Sequence, residues 1–435
     1  MVGSLSRLYA RFTRILADRK LLFAIVVTVV IQLLLAPFTQ DPHDVLYWRL
    51  TGYYLVVEHV NPYTVEECGF TYPPLWMAVI AVFYSISRLF VNPSLPPYVS
   101  GLVERFFIKM PLILASIGVG FILYKLLVKF TGSSNKASAA ALLWFLNPYV
   151  IWINSIWGMF DVFPTLCTLL SAEHFFNKQY DRSALFLGIG IGFKMYPILL
   201  LPLFLFFLRR TKVNLLQIIK FIMISIGVLA LISIPFLVWD QSSYIYSLTA
   251  YYTEEKGIHG VNFYQVTDSF NIPVPSDYPT YLMVGGIIVI YLLLCRWQYS
   301  ERNLTYGILM VLFGFLATNR LVNEQYFIWA IPFGILDVTA YNSRRRWLFH
   351  SIWITFLAFM FSHILIFQFF RPLIANFLPV SIRYPIDHLT NRWYASSAWR
   401  ETRYIILALI GVLATALYVA YDWLLWKEVK TSQRS

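Results

Sequence analysis

The 435 residues are 59% hydrophobic and 18% aromatic but only 13% charged, about half the charged share of a soluble globular chain. A soluble domain is excluded, and an all-α polytopic membrane protein is expected. The net charge of +12 could suggest nucleic acid, but it sits in short clusters between apolar runs, which is the pattern of membrane orientation. Three cysteines, Cys68, Cys167 and Cys295, lie far apart without metal-ligand spacing, so neither a disulfide framework nor a zinc site is indicated.

In chain order, Arg7, Arg11, Arg14, Arg19 and Lys20 precede an uncharged run at 21–38 with no small-residue cleavage site after it, the pattern of a retained signal anchor. Next comes Gln40-Asp41-Pro42-His43-Asp44, two carboxylates three residues apart at the mouth of a loop spanning 40–73. Pro42 suits the first position of a helix, which makes Asp41 a candidate N-cap. Asp44, one turn later, could accept a proton from a hydroxyl or hold a metal. The loop closes with Asn61-Pro62-Tyr63 and Phe70-Thr71-Tyr72-Pro73-Pro74, a stiff entry into the apolar stretch 74–90.

Further uncharged windows long enough to cross about 30 Å of hydrocarbon fall at 137–154 and 404–421, with shorter ones at 279–294 and 304–319. Lys and Arg gather at the N-terminus, at 125–136, 178–182, 209–212, 296–302, 344–346 and 427–434, and the positive-inside rule makes these segments cytoplasmic. The loops 40–72 and 240–278 carry ten acidic residues against Arg49 and Lys256, so both are expected outside. The loop count closes best if 74–90 is re-entrant or lies within the external loop and 184–208 is a hairpin starting and ending in the cytoplasm. That arrangement gives about twelve to thirteen membrane helices. The alternative, full spans at 74–90 and 185–208, places Lys125, Lys129, Lys136, Lys178 and Arg182 outside. The late loop 371–402 mixes Arg371, Arg383, Arg392 and Arg400 with Tyr384, Trp393, Tyr394 and Trp399, as a headgroup-level segment does. No repeat or linker divides the chain, so one membrane-embedded domain, 1–435, is expected.

Lys194 stands alone in the otherwise uncharged run 185–208, three residues before Pro197. A cation at membrane depth costs about 2.5 to 3.5 kcal/mol, so it has a partner or a substrate by default. Snorkelling from a helix end is the ordinary alternative, weakened by the apolar residues on both sides. Asn147-Pro148-Tyr149 breaks another helix, and Ser155-Ile156-Trp157-Gly158-Met159-Phe160-Asp161 brings a carboxylate to the external end, where it could equally be a cap. Arg320 and Glu324, four apart in Asn319-Arg320-Leu321-Val322-Asn323-Glu324-Gln325-Tyr326, form either a surface pair or the frame of a polar pocket. Together Asp41, Asp44, Asp161, Lys194, Arg320 and Glu324 suit a glycosyl transfer from a lipid phosphate, with a carboxylate base and cations facing the departing phosphate.

The ordered set of motifs, from the Asp pair through Asn61-Pro62-Tyr63, Tyr72-Pro73-Pro74, Asn147-Pro148, Gly158 and Asp161, Lys194-Met195-Tyr196-Pro197 to Asn319-Arg320 and Gln325-Tyr326-Phe327-Ile328-Trp329, resembles the GT-C class of membrane glycosyltransferases. Within that class it resembles the catalytic subunit of GPI mannosyltransferase I and its prokaryotic relatives. The resemblance implies a GT-C-type helical bundle whose external loops form the active site. It also implies inverting transfer of mannose from a polyprenyl (dolichyl) phosphate to a lipid-linked or membrane-proximal acceptor, in a cell or endoplasmic reticulum membrane with the site facing outside or the lumen. Asp44 and Asp41 are then the catalytic candidates, with Asp44 preferred as base. Lys194, Arg320 and Arg49 are the candidates for the donor phosphate, and Tyr72, Asp161, Tyr196, His259, Glu324 and Gln325 for the substrate pocket. The family spaces its aspartates two apart rather than three. It also uses a His-Glu pair where this chain has Asn323-Glu324, so a histidine role is not carried over. No cofactor is implied beyond a divalent cation, Mg2+ or Mn2+, which the carboxylates could take. The competing readings are a glycolipid transporter or flippase, which would show inverted halves, a metal-dependent oligosaccharide transferase with Asp44 and Asp161 as ligands, and a purely structural membrane protein.

Overall fold

The computed structural model describes residues 18–41, 43–91, 101–253, 259–275, 277–364 and 366–432. The cations at Arg7, Arg11 and Arg14, Pro42, and Glu254, Glu255 and Lys256 lie outside the described residues, as do the side chains of His259, Trp393 and Tyr394. The described chain is almost entirely helical, and its elements run between two faces, one holding Asp41 and Asp44 (the site face) and one holding the cation clusters (the basic face).

Helix α1, Arg19–Leu35, is capped by Asp18, whose carboxylate accepts from the amides of Lys20 and Leu21. It climbs to the site face. There α2, Asp44–Val56, and α3, Leu75–Ser87, pack together. Each has 13 residues and is about 20 Å long, shorter than the thickness of the hydrocarbon. The long α4, Leu102–Thr131, descends to the basic face, where Lys125 bonds Glu173 at 2.7 Å. The chain returns through α5, Ser134–Phe145, bends by 46° at Asn147-Pro148, and continues as α6, Pro148–Ile151, into a π-helical turn, Trp152–Trp157. π-helical turns of this kind are frequent at functional sites. The two Asn-Pro-Tyr motifs share one geometry: Asn61 and Asn147 each accept the amide two residues on with the side-chain oxygen, at 3.1 and 2.9 Å, and each proline opens the following helical turn.

Helix α7, Val162–Phe176, goes back down, and α8, Tyr180–Phe193, comes up again to Lys194, which is extended (φ −155°, ψ 143°) and ends the helix. After a 3-10 turn at Tyr196–Leu200, α9, Leu201–Arg210, follows. Asp181 near the start of α8 bonds Gln217 at 2.9 Å and Lys220 at 2.5 Å in the first turns of α10, Leu215–Thr253, which begins just after α9 ends. So α8 and α9 leave from and return to one face, the hairpin that the charge pattern asks for, with Lys194 at its tip. Helix α10 breaks at Asp240, whose carboxylate accepts from the amide and hydroxyl of Ser243 and so caps the second half.

Beyond it, β1, His259–Gly260, pairs in parallel with β2, Leu321–Val322. The remaining helices are α11, Tyr264–Ser269, α12, Tyr278–Leu294, α13, Glu301–Thr318, α14, Ile331–Leu336 (extended by a π-helical turn, Asp337–Tyr341), and α15, Arg346–His363. The late loop is itself helical, in α16, Ile366–Phe369, α17, Arg371–Phe377, and α18, Val380–Ala395. The final helix, α19, Ser397–Ser432, runs back to the basic face.

Among the described residues, only α4, α10 and α19 are long and apolar enough to cross a membrane unaided, with the bent α5–α6 pair as a fourth. Two apolar runs are interrupted beside candidate site residues, one by the bend at Asn147-Pro148 and one by the extended Lys194. The protein is an integral membrane protein whose helices cohere through close packing and buried polar bonds, since lipid supplies little hydrophobic drive between helices.

Candidate active site

The loop between α1 and α2 is held by buried cations. Lys109 of α4 donates to the Thr39 carbonyl at 2.6 Å, the Ser155 carbonyl at 2.7 Å and the Ile156 carbonyl at 3.0 Å, and Arg105 donates to the Pro37 carbonyl at 2.8 Å. The Asp41 amide closes the seam by donating to the Trp157 carbonyl at 3.1 Å. Gly158 makes this approach feasible. Its φ is +95°, and a Cβ there would meet Val45 at 2.7 Å and Lys109 at 2.9 Å, so the position favours glycine on both counts.

On this platform Asp41, itself buried, accepts the amides of His43 at 2.8 Å and Asp44 at 2.9 Å. It therefore holds the amides that lead into α2, whose N-cap position is His43, and belongs to the acidic pair at once. Asp44 projects from the first residue of α2, and its carboxylate accepts the Trp157 indole N–H at 2.7 Å. Burial pushes Asp41 up to about 6, against the pull of the two amides, with Glu324 adding to the rise and Lys109 opposing it. Burial pushes Asp44 up to about 7, helped by the like charge of Asp41 and opposed by the Trp157 bond and by Lys194. A carboxylate poised near neutrality is suited to general-base work.

The second half of the site is the hairpin tip. Lys194 reaches both oxygens of Asp161, at 2.9 and 3.0 Å, and the Trp329 indole N–H donates to the same carboxylate at 2.6 Å. Asp161 occupies the cap position of α7, but its carboxylate makes no cap bond; the pairing with Lys194 decides its role. Aromatic faces surround the ammonium, with ring centroids of Tyr326 at 4.7 Å, Tyr72 and Phe160 at 5.4 Å and Trp329 at 5.5 Å. Tyr196 stacks on Trp329 at 3.9 Å and 8°. Tyr72 packs in turn against Phe160 and Trp48.

The third element comes from the chain after β2. Glu324, buried, bonds the Nδ1 of His363 at 2.6 Å, and its own carbonyl accepts from Tyr149 at 2.6 Å. A His-Glu pair is thus assembled from residues 39 apart, at the end of α15 rather than beside Glu324 in sequence. Because 321–322 is extended, the helical spacing that suggested a pair between Arg320 and Glu324 does not apply.

The expected site residues divide accordingly. Asp41, Asp44, Asp161, Lys194, Tyr72, Tyr196 and Glu324 converge. Arg49 does not serve a phosphate: it is buried against Glu104, with guanidinium contacts of 2.6 and 2.7 Å. It locks α2 to α4, because a buried cation is paired first with the carboxylate the fold supplies. Arg320 is half-buried at the entry to β2, Gln325 is buried with its Oε1 unpartnered, and His259 contributes its backbone to the strand pair. Residues that sequence reasoning missed are Lys109, Trp157, Trp329 and His363. Lys109 carried a weaker signal than Lys194, a cation inside an apolar helix four residues after Arg105, and Trp157 and Trp329 stood within the quoted motifs with no role assigned to them. No group of three His, Cys, Asp or Glu side chains among the described residues could hold a metal.

Residues 47–256 match the family model described as GPI transamidase subunit PIG-U. Over 250 residues the chain is 27% identical to GPI mannosyltransferase 1 of Candida albicans, covering 52% of this chain and 61% of that protein. The chain resembles fungal GPI mannosyltransferase 1. A second such protein, from Saccharomyces cerevisiae, is 25% identical over 266 residues, 57% of this chain and 64% of its own length. The matches thus span about three fifths of the GPI mannosyltransferase 1 relatives. Among solved structures, ArnT from Cupriavidus metallidurans bound to undecaprenyl phosphate aligns over 95% of this chain and 77% of its own, with a TM-score of 0.45 and 12% identity.

Proposed function

We propose that the protein is a membrane mannosyltransferase that moves mannose from a polyprenyl-phosphate donor to a lipid-linked acceptor, like the GPI mannosyltransferase 1 proteins it resembles. The observation that carries this reading is the convergence of Asp44, Asp161, Lys194 and Glu324, from four distant stretches, on one aromatic-walled site with a carboxylate poised near pH 7. Asp44 takes the proton of the acceptor hydroxyl as that oxygen attacks the anomeric carbon. The bond to the phosphate oxygen breaks with its electron pair, and the configuration inverts in a single displacement. Two ammonium protons of Lys194 serve Asp161, and the third is available to the departing phosphate. Tyr72, half-buried, offers a ring to the sugar, backed by the stack of Tyr196, Trp329 and Tyr326. The site opens outside or to the lumen, opposite the cation clusters.

The test is transfer from polyprenyl-phosphate mannose in isolated membranes. Asp44→Asn is expected to abolish product at unchanged protein level, and wild-type turnover in that variant would reject Asp44 as base. A second reading, a lipid-binding subunit without transfer chemistry, draws on the PIG-U match, which begins at residue 47, after both aspartates. Absence of transfer by the wild-type chain over a panel of polyprenyl-phosphate sugars, together with retained binding of the lipid, would favour it.

A further inference from the structure

The basic face carries a second built feature. The triplet Arg344-Arg345-Arg346 is divided by the fold. Arg345 turns inward, where its guanidinium bonds both oxygens of Asp337, Glu428 at 2.5 Å and the Tyr306 hydroxyl at 2.6 Å. Tyr421 and Asn342 complete the cluster by donating to Asp337 and Glu428. This fixes the start of α15 against the π-helical turn and α19, and it leaves Arg344 and Arg346 exposed.

Arg346 then meets Lys136, from the first turn of α5, across a cleft of about 560 Å3. His350, the hydroxyls of Thr339 and Ser343, and the small apolar Ala139 also line it. His350 accepts the Trp353 indole N–H on Nδ1 at 2.9 Å, which leaves Nε2 as a donor. No carboxylate lines the cleft, and among the described residues neither Lys136 nor Arg346 has an acidic partner. The adjoining cleft of about 460 Å3 is different: its cations Lys129 and Arg302 face Glu301 at 3.6 Å and Glu428 at 3.9 Å. Charge is compensated in one cleft and left open in its neighbour.

Placement identifies the occupant. From Lys136, α5 runs to the bend that leads to Trp157 and the active site, so the cleft lies at the opposite leaflet. Trp347, 84% exposed beside Arg346, has the side chain favoured at the headgroup level. We propose that this cleft binds the phosphate of an anionic diacyl phospholipid in the leaflet opposite the active site, with Lys136, Arg346 and His350 on the phosphate and the apolar wall under the glycerol.

The full-length protein, purified in detergent, is offered phosphatidylglycerol or phosphatidylcholine, and retained lipid is counted by native mass spectrometry. The wild type is expected to prefer phosphatidylglycerol, and Lys136→Gln/Arg346→Gln to lose that preference by about tenfold to thirtyfold. Lys129→Gln/Arg302→Gln is the control and is expected to keep it. Equal loss in both double variants would mean diffuse surface charge and would overturn the site. So would an unchanged preference in the first. Should the first double variant fail to fold, Ala139→Trp, which fills the cleft and keeps both cations, must lose the preference; retention would overturn the proposal. Displacement of the lipid by inorganic phosphate at comparable concentration would reassign the cleft to a soluble anion.

Discussion

At the scale of single residues, the site is a set of charges whose cost is met by one another. Asp44, pushed up to about 7 by burial and by Asp41, is active as a base only when ionised, so transfer is expected to fall as pH drops through about 7, a limb to be read from the pH dependence of the transfer rate. The stability effect has the opposite sense. A carboxyl raised in the folded chain contributes fully at low pH and loses that contribution as pH rises toward 7. Asp44→Asn should therefore raise the melting temperature above about pH 7 by about 2 °C or more, with the gain shrinking as pH falls and gone below about pH 4, the ordinary value of a free aspartate, as measured by thermal denaturation in detergent. Lys194 and Asp161 form a buried pair in which either partner alone is an uncompensated charge. Lys194→Met or Asp161→Asn should each cost about 3 to 5 kcal/mol, and Lys194→Met/Asp161→Leu should recover most of it. All three should lack donor binding in a lipid titration; retained binding in the recovered double variant would limit the pair to a structural role.

At the scale of elements, the interruptions are where the candidate site residues gather. The π-helical turn 152–157, the extended Lys194 at the hairpin tip and the turn before Trp329 each end or distort a helix at the site face. Gly158 lets the first of them meet α2 and α4. Gly158→Ala combines a left-handed φ, costing about 1 to 2 kcal/mol, with a Cβ within 3 Å of Val45 and Lys109, so transfer and melting temperature should fall together. Unchanged melting would show that the seam has room to adjust. The breaks themselves could be read from the chain, because Asn-Pro and Tyr-Pro end helices by removing a donor and fixing φ. Which side chain each break delivers could not, since Asp161 serves equally well in sequence as a cap.

At the scale of the whole molecule, two polar centres brace opposite faces, the Asp–Lys site and the Arg345 cluster. Arg345→Gln strips the partner from Asp337 and Glu428, so a loss of about 3 to 5 kcal/mol is expected, with α19 becoming accessible to protease from the basic face while the Asp44 side chain is untouched. The sequence by itself determined the membrane class, the helical fold and the places where the helices break, because hydropathy, charge and helix-breaking residues act locally and leave a one-dimensional trace. Only the tertiary structure decided that Arg49 belongs to Glu104, that His363 meets Glu324, and that Lys109 and Trp157 hold the acidic loop in place. Those pairings join residues tens to hundreds of positions apart, and among several available carboxylates a buried cation takes the one that packing brings within reach.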